Sequence, residues 1–144
     1  MRTSSAQILL VEDNPGDQRL TVEALQEAGH EGRLQLTSDG QEALDFLNSI
    51  RDSGGENPKL IILDLDLPTK DGREVLAEIK QDPDLRAIPV VVFSSSDASE
   101  VIDDLFRLEA SGFITKPIDL DSYYGAIASL QTYWESGSPK SDKT

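Results

Sequence analysis

The chain has 144 residues, 13 lysines and arginines against 27 aspartates and glutamates, a net charge of −14 and 38% hydrophobic residues. A chain of this length forms one domain and buries about 70% of its extended surface, so it has a hydrophobic core without staples. It has no cysteine, which excludes disulfide frameworks, thiolate zinc sites and cysteine nucleophiles and fits a reducing compartment; the acidic balance argues against nucleic acid and anionic membranes as partners.

The first apolar run, Ile8-Leu9-Leu10-Val11, ends after four residues in Glu12-Asp13. It reads as a buried strand, too short for a signal sequence or membrane span, and a cytoplasmic protein is expected. Asn14-Pro15 then opens a helix with a side-chain cap and a proline at its first position. That helix carries Leu20, Ala24 and Ala28 on one stripe and stops at Gly29. The single histidine, His30, follows the stop and is expected in a surface loop, which argues against histidine-based catalysis. Leu34–Thr37 alternates as a weaker strand. A second helix begins near Ser38-Asp39-Gly40-Gln41 and buries Ala43, Leu44, Leu47 and Ile50, and a polar loop spans Ser53–Asn57. Leu60–Leu63 is another unbroken apolar strand, buried on both faces. Asp71 with Glu74 forms a capping box for a third helix carrying Val75, Leu76 and Ile79, which ends before Pro83. Val90–Phe93 follows as a strand, Asp97 with Glu100 repeats the capping signal for a fourth helix, and Phe113–Ile114 is a short strand. Asp119 caps a fifth helix bearing Tyr123, Tyr124, Ile127, Leu130 and Trp134. Residues 1–6 read as a lead, 7–134 as the domain and 135–144 as a disordered tail with nothing to bury.

Strands alternating with helices specify an α/β fold, a doubly wound five-stranded parallel sheet covered on both faces. The carboxyl ends of the strands carry the chemistry: Glu12-Asp13, Asp64, Ser94 and Lys116. In such sheets ligands sit at that edge. With order 2-1-3-4-5 the first and third strands are neighbours about 4.8 Å apart, so Asp13 and Asp64 share one ligand, and Lys116 reaches in from the edge. Two carboxylates about 4 Å apart repel by about 4 kcal/mol at an effective dielectric of 20, so the cluster calls for a cation. Oxygen ligands without histidine or cysteine select a hard ion such as magnesium.

The motifs Ile8-Leu-Leu-Val-Glu-Asp-Asn-Pro, Leu60-Ile-Ile-Leu-Asp-Leu-Asp-Leu-Pro followed by Lys70-Asp71-Gly72, Val90-Val-Val-Phe-Ser-Ser and Gly112-Phe-Ile-Thr-Lys-Pro resemble the receiver domain of two-component response regulators, a flavodoxin-like fold. The resemblance runs from about Ile8 to Trp134. Leu10-Val-Glu-Asp-Asn-Pro-Gly-Asp-Gln-Arg-Leu is similar to the single-domain regulators paired with bacterial and cyanobacterial phytochrome kinases. The resemblance implies that Asp64 is the phosphoacceptor, that Asp13 ligates magnesium directly and Glu12 through water, and that the backbone carbonyl of Asp66 completes the set. It makes Ser94 the switch hydroxyl, Lys116 the family's cation with a cis bond to Pro117, and Phe113 the aromatic switch. It implies a sensor histidine kinase as partner, with a phytochrome as the narrower candidate, and a signalling domain rather than an enzyme with its own substrate.

A magnesium ion on one side of Asp64 and Lys116 on the other would neutralise charge as it develops on a transferring phosphoryl group. The alternative is a haloacid-dehalogenase-like phosphatase using Asp64 and Asp66. Pro68 and the absence of a paired acidic motif after the lysine count against it. On the fourth helix Val101, Leu105 and Leu108 suffice to cover the sheet, while Ile102 and Phe106 form a second stripe about 100° away. With Tyr133 and Trp134 they are candidates for a homodimer surface on the fourth helix, fifth strand and fifth helix. No segment long enough for a DNA-binding module follows, so signalling by protein contact or self-association is expected.

Overall fold

The structure, a computed structural model, describes residues 7–30, 32–95 and 99–135, with the backbone alone for residues 99–102, 134 and 135. In chain order the elements are β1 (Ile8–Val11), α1 (Pro15–Glu27), β2 (Leu34–Thr37), α2 (Gly40–Ser53), β3 (Leu60–Leu63), α3 (Gly72–Gln81), β4 (Val90–Ser94), α4 (Ser99–Arg107), β5 (Gly112–Thr115), α5 (Leu120–Ala128) and α6 (Gln131–Glu135). The strands form one sheet in the order β2-β1-β3-β4-β5, as the sequence predicts, with every pairing parallel.

Strand alternation divides the core in two. Leu9, Val11, Ile61, Leu63, Val90 and Val92 pack with Ala43, Leu47, Val75, Ile79 and Leu105 from α2, α3 and α4. Ile8, Leu10, Leu60, Ile62, Val91 and Phe93 pack on the opposite face with Ala24 and Leu25 of α1 and Tyr123 and Ile127 of α5. Each buried aliphatic side chain stabilises by about 1.5–3 kcal/mol, so the three central strands are the stiff part of the domain. Their carboxyl ends are fixed by that packing.

The caps are those the sequence announces. Asn14 accepts from the Asp17 N–H, Asp39 from Glu42, Asp119 from Ser122, and Asp71 with Glu74 closes a reciprocal capping box. The expected loop at Ser53–Asn57 starts later than the sequence suggests, because α2 runs through Ser53 and ends at Gly54 with φ 81°, a left-handed cap suited to glycine. The fifth helix is shorter than expected. It stops at Ala128, where Ser129 turns its hydroxyl onto the Ala126 carbonyl and the Leu130 N–H bonds Ile127. Leu130 stays buried across that break, and the short α6 carries the apolar pattern onward.

His30 is not in a surface loop. Gly29, at φ 96°, turns the chain back so that the His30 N–H bonds the Leu25 carbonyl, and the imidazole is folded inside at 7% exposure. The lead, the tail beyond Glu135 and the Asp97 cap lie outside the described residues, while Glu135 itself belongs to α6. No helix among the described residues is long and apolar enough to cross a membrane.

Candidate functional site

Parallel pairing brings the carboxyl ends of β1, β3 and β4 to one edge of the sheet. The Asp64 N–H donates to the Val11 carbonyl at 3.0 Å and the Glu12 N–H to the Thr37 carbonyl at 3.0 Å, so both acidic residues continue the strand ladder by one residue. Glu12, Asp13 and Asp64 each point a carboxylate oxygen into a common space, all within 4.8 Å of one another. Glu12 and Asp64 are buried, at 2% and 6% exposure, whereas Asp13 is exposed. A donor set of three carboxylates, two of them desolvated and mutually repelling, fits a hard divalent cation that keeps part of its water shell.

Lys116, just past β5, is held in place by its N–H bonding the Ser94 carbonyl at 2.8 Å. Its ammonium crosses the sheet edge to Glu12 Oε1 at 2.6 Å, Asp17 Oδ2 at 2.8 Å and Asp64 Oδ2 at 3.1 Å. Burial works against the Lys116 charge, but the hydrogen bonds to Asp17 and Glu12 and the charges of Glu12 and Asp64 outweigh it, so its pKa lies above the ordinary lysine range. At Asp64 burial favours the neutral acid; the Lys116 charge and hydrogen bonds from Glu12, Ser94 and Lys116 outweigh it and hold the carboxyl below its usual value. Glu12 goes the other way. Desolvation, opposed by Lys116 and reinforced by the Asp64 charge, pushes it up to about 7. The pair thus sorts itself into an ionised Asp64 and a Glu12 that holds its proton more readily.

Ser94 closes β4 fully buried, with its hydroxyl on the Asp64 carboxylate. The Asp66 N–H donates to Asp64 Oδ1 at 3.3 Å, which sets the Asp66 peptide beside the same carboxylate. Beneath it lies Gly72, whose N–H bonds the Leu65 carbonyl at 3.0 Å; a Cβ there would meet the Asp64 carbonyl oxygen and lie 2.7 Å from the Leu65 Cα. Phe113 is half-buried against the core cluster of α2, α3 and α4.

Two expectations change. The Lys116–Pro117 bond is trans, since no cis peptide occurs among the described residues. Trans is the ordinary geometry, favoured by about 0.5–1 kcal/mol before proline, and with it Lys116 already reaches all three carboxylates. Tyr133 is half-buried and packs on the α1–α5 core cluster, so it is mainly a core residue, whereas Phe106 is 57% exposed. The Ile102 and Trp134 side chains lie outside the described residues.

Asp17 is the member of the site that sequence reasoning misses. An acid in the first turn of a helix ordinarily complements the helix dipole, and nothing local ties it to a lysine 99 positions later.

The sequence model described as the response regulator receiver domain matches residues 8–128. Response regulator Rcp1 of Synechocystis sp. is 40% identical over 128 residues, covering 88% of this chain and 87% of that protein. The solved structure of the phosphorylated cyanobacterial phytochrome response regulator RcpA is 38% identical and aligns over 96% of this chain and all of that one with a TM-score of 0.84. The Mn(2+)-bound form of Rcp1 is 37% identical, covers 95% and 99% of the two chains and gives a TM-score of 0.82. None of these matches supports the phosphatase alternative.

Proposed function

The chain belongs to the response regulator receiver family, and from that premise we propose that Asp64 is the residue that accepts the phosphoryl group, from a phosphohistidine of a sensor kinase. The observation that carries this reading is the meeting of the Glu12, Asp13 and Asp64 carboxylates within 4.8 Å, with the Lys116 ammonium 3.1 Å from Asp64. Magnesium held by Asp13, Asp64, Glu12 and the Asp66 carbonyl would supply charge neutralisation to the phosphoryl oxygens. Asp64, kept ionised by Lys116 and Ser94, needs no base. One of its oxygens forms the new bond to phosphorus while the bond from phosphorus to the donor nitrogen breaks, leaving the electron pair on that nitrogen.

Lys116 contributes by compensating charge from the side of β5. Ser94 is the switch hydroxyl: its position at the end of β4 lets it donate to a phosphoryl oxygen in place of the Asp64 carboxylate and draw the following loop inward. Phe113, one residue into β5, is the aromatic neighbour that repacks in response. The face of α4, β5 and α5 then changes, and the exposed Phe106 makes it the surface for a second copy of the chain. The similarity to the cyanobacterial phytochrome response regulator RcpA favours a phytochrome as the kinase.

The test is phosphotransfer from candidate histidine kinases, or from a small phosphodonor, with and without magnesium, read by intact mass. One phosphoryl group on the wild type and none on Asp64→Asn is expected; undiminished labelling of that variant refutes the assignment. Sedimentation of wild type and Phe106→Asp, with and without phosphorylation, tests the dimer. A folded protein monomeric in every state refutes that part.

A further inference from the structure

A lysine ammonium has three N–H donors, and the Lys116 ammonium already faces three carboxylates, at 2.6 Å from Glu12, 2.8 Å from Asp17 and 3.1 Å from Asp64. A donor becomes available to an incoming phosphoryl oxygen only when one of the three is released. Glu12 and Asp64 are poor choices. Their side chains are 3% and 7% exposed, and both belong to the carboxylate trio that fits a metal. Neither side chain can be released into water, and Asp64 is itself the group that carries the phosphoryl oxygens toward Lys116.

Asp17 differs in each respect. Its side chain is 35% exposed, it stands outside the trio, and it sits in the first turn of α1, where water and the helix dipole solvate it once Lys116 departs. Its N–H is bonded to Asn14 Oδ1 through the backbone, so a change of side chain leaves the cap intact.

We propose that Asp17 is a latch on Lys116: it holds the ammonium in the resting protein and yields it to the phosphoryl oxygens, thereby setting how readily the site enters the phosphorylated state. Asp17 touches neither donor nor phosphoryl group and is a positioning residue. The proposal rests on the reading of Asp64 as acceptor and deepens it. An interaction present only in the resting state opposes the phosphorylated state by its own strength, so removing it favours that state.

The experiment compares wild type, Asp17→Asn, Asp17→Glu and Glu23→Gln, the last removing one charge from an exposed position of the same helix. Binding of beryllofluoride with magnesium is measured by calorimetry, and phosphoryl uptake from an acyl phosphate by intact mass. Asp17→Asn is expected to bind beryllofluoride about fivefold more tightly, the effect of losing an ion pair at the upper end of the partly exposed range. It is also expected to take up phosphate faster. Asp17→Glu returns toward wild type, and Glu23→Gln stays at wild type. Equal affinity in wild type and Asp17→Asn, a loss in Asp17→Asn, or a gain shared by Glu23→Gln overturns the latch while leaving Asp64 as acceptor. Wild type that binds no beryllofluoride and takes up no phosphate overturns both.

Discussion

The charge arrangement around Lys116 makes a quantitative claim about metal-free stability. In Lys116→Met the stem is kept and the ammonium lost, leaving Glu12 and Asp64 buried within 4.8 Å of each other and facing no cation. Removing one partner of a buried ion pair costs about 3–5 kcal/mol. Two features of this site lower that figure: Asp17 is 35% exposed and is resolvated, and Glu12, already pushed up to about 7, takes a proton rather than remain charged beside Asp64. The expected loss is therefore about 2–3 kcal/mol, below the cost of a fully buried pair. The assay is urea unfolding in chelator at pH 8, with the slope checked for constancy. Adding Glu12→Gln to Lys116→Met is expected to recover about half the loss, because Gln is neutral without the cost of taking up a proton at pH 8, and the coupling is read as a double-mutant cycle. A loss under about 0.5 kcal/mol, the scale of an ordinary surface substitution, would refute the electrostatic account. So would a double variant no more stable than the single one.

The same geometry carries three further expected outcomes. Asp13→Asn, which removes an exposed member of the trio, is expected to leave the metal-free melting temperature equal or higher while weakening magnesium binding; a clear drop in that temperature would make Asp13 a structural cap. Gly72→Ala places a methyl 2.7 Å from the Leu65 Cα and against the Asp64 carbonyl, so it should destabilise by about 1–3 kcal/mol through overpacking. It should also slow phosphoryl uptake although no charge changes, and wild-type uptake would refute the link between Gly72 and the placement of Asp64. Burial raises the Tyr123 phenol from 10.0 to about 12, against the hydrogen bond with Thr21. The folded state therefore keeps a proton the unfolded chain releases, and the stability this contributes is complete below pH 10 and lost as pH rises toward 12. Tyr123→Phe should lose about 1–2 kcal/mol at neutral pH, from the Thr21 hydroxyl left buried without this partner, and should show a flatter alkaline unfolding profile in chemical denaturation.

The parts of this molecule that were legible in the sequence are those whose determinants are local. β1, β2 and β3 stand at the expected bounds because each is a four-residue block closed by polar residues or a loop. β5 is longer than its apolar pair because Gly112 and Thr115 join through backbone hydrogen bonding that side-chain character does not announce. Glu12, Asp13, Asp64 and Lys116 were legible because a parallel sheet puts every strand's carboxyl end on one edge. His30 was misplaced because its burial depends on the turn that Gly29 makes, not on the residues beside it. Asp17 was missed because its partner arrives from β5 only once the sheet is assembled.

Those non-local residues also connect the site to the far side of the domain. Lys116 is tied by its backbone to Ser94, at the end of β4. The neighbouring Phe93 ring meets Tyr123 of α5 edge to face, with centroids 5.1 Å apart, and the Tyr123 hydroxyl lies 2.7 Å from that of Thr21. Thr21 is one helical turn beyond Asp17, which returns to the Lys116 ammonium at 2.8 Å. The circuit is closed, and each link is a buried or half-buried contact with defined geometry. The α4–β5 side carries the exposed Phe106 and the half-buried Phe113, whereas the α1–α5 side is held by a buried hydroxyl pair and an aromatic contact. If Asp17 yields Lys116 as proposed, the circuit opens at that one contact while the buried Thr21–Tyr123–Phe93 packing holds α1 and α5 in place, and a response to phosphorylation would then be directed toward the α4–β5 surface.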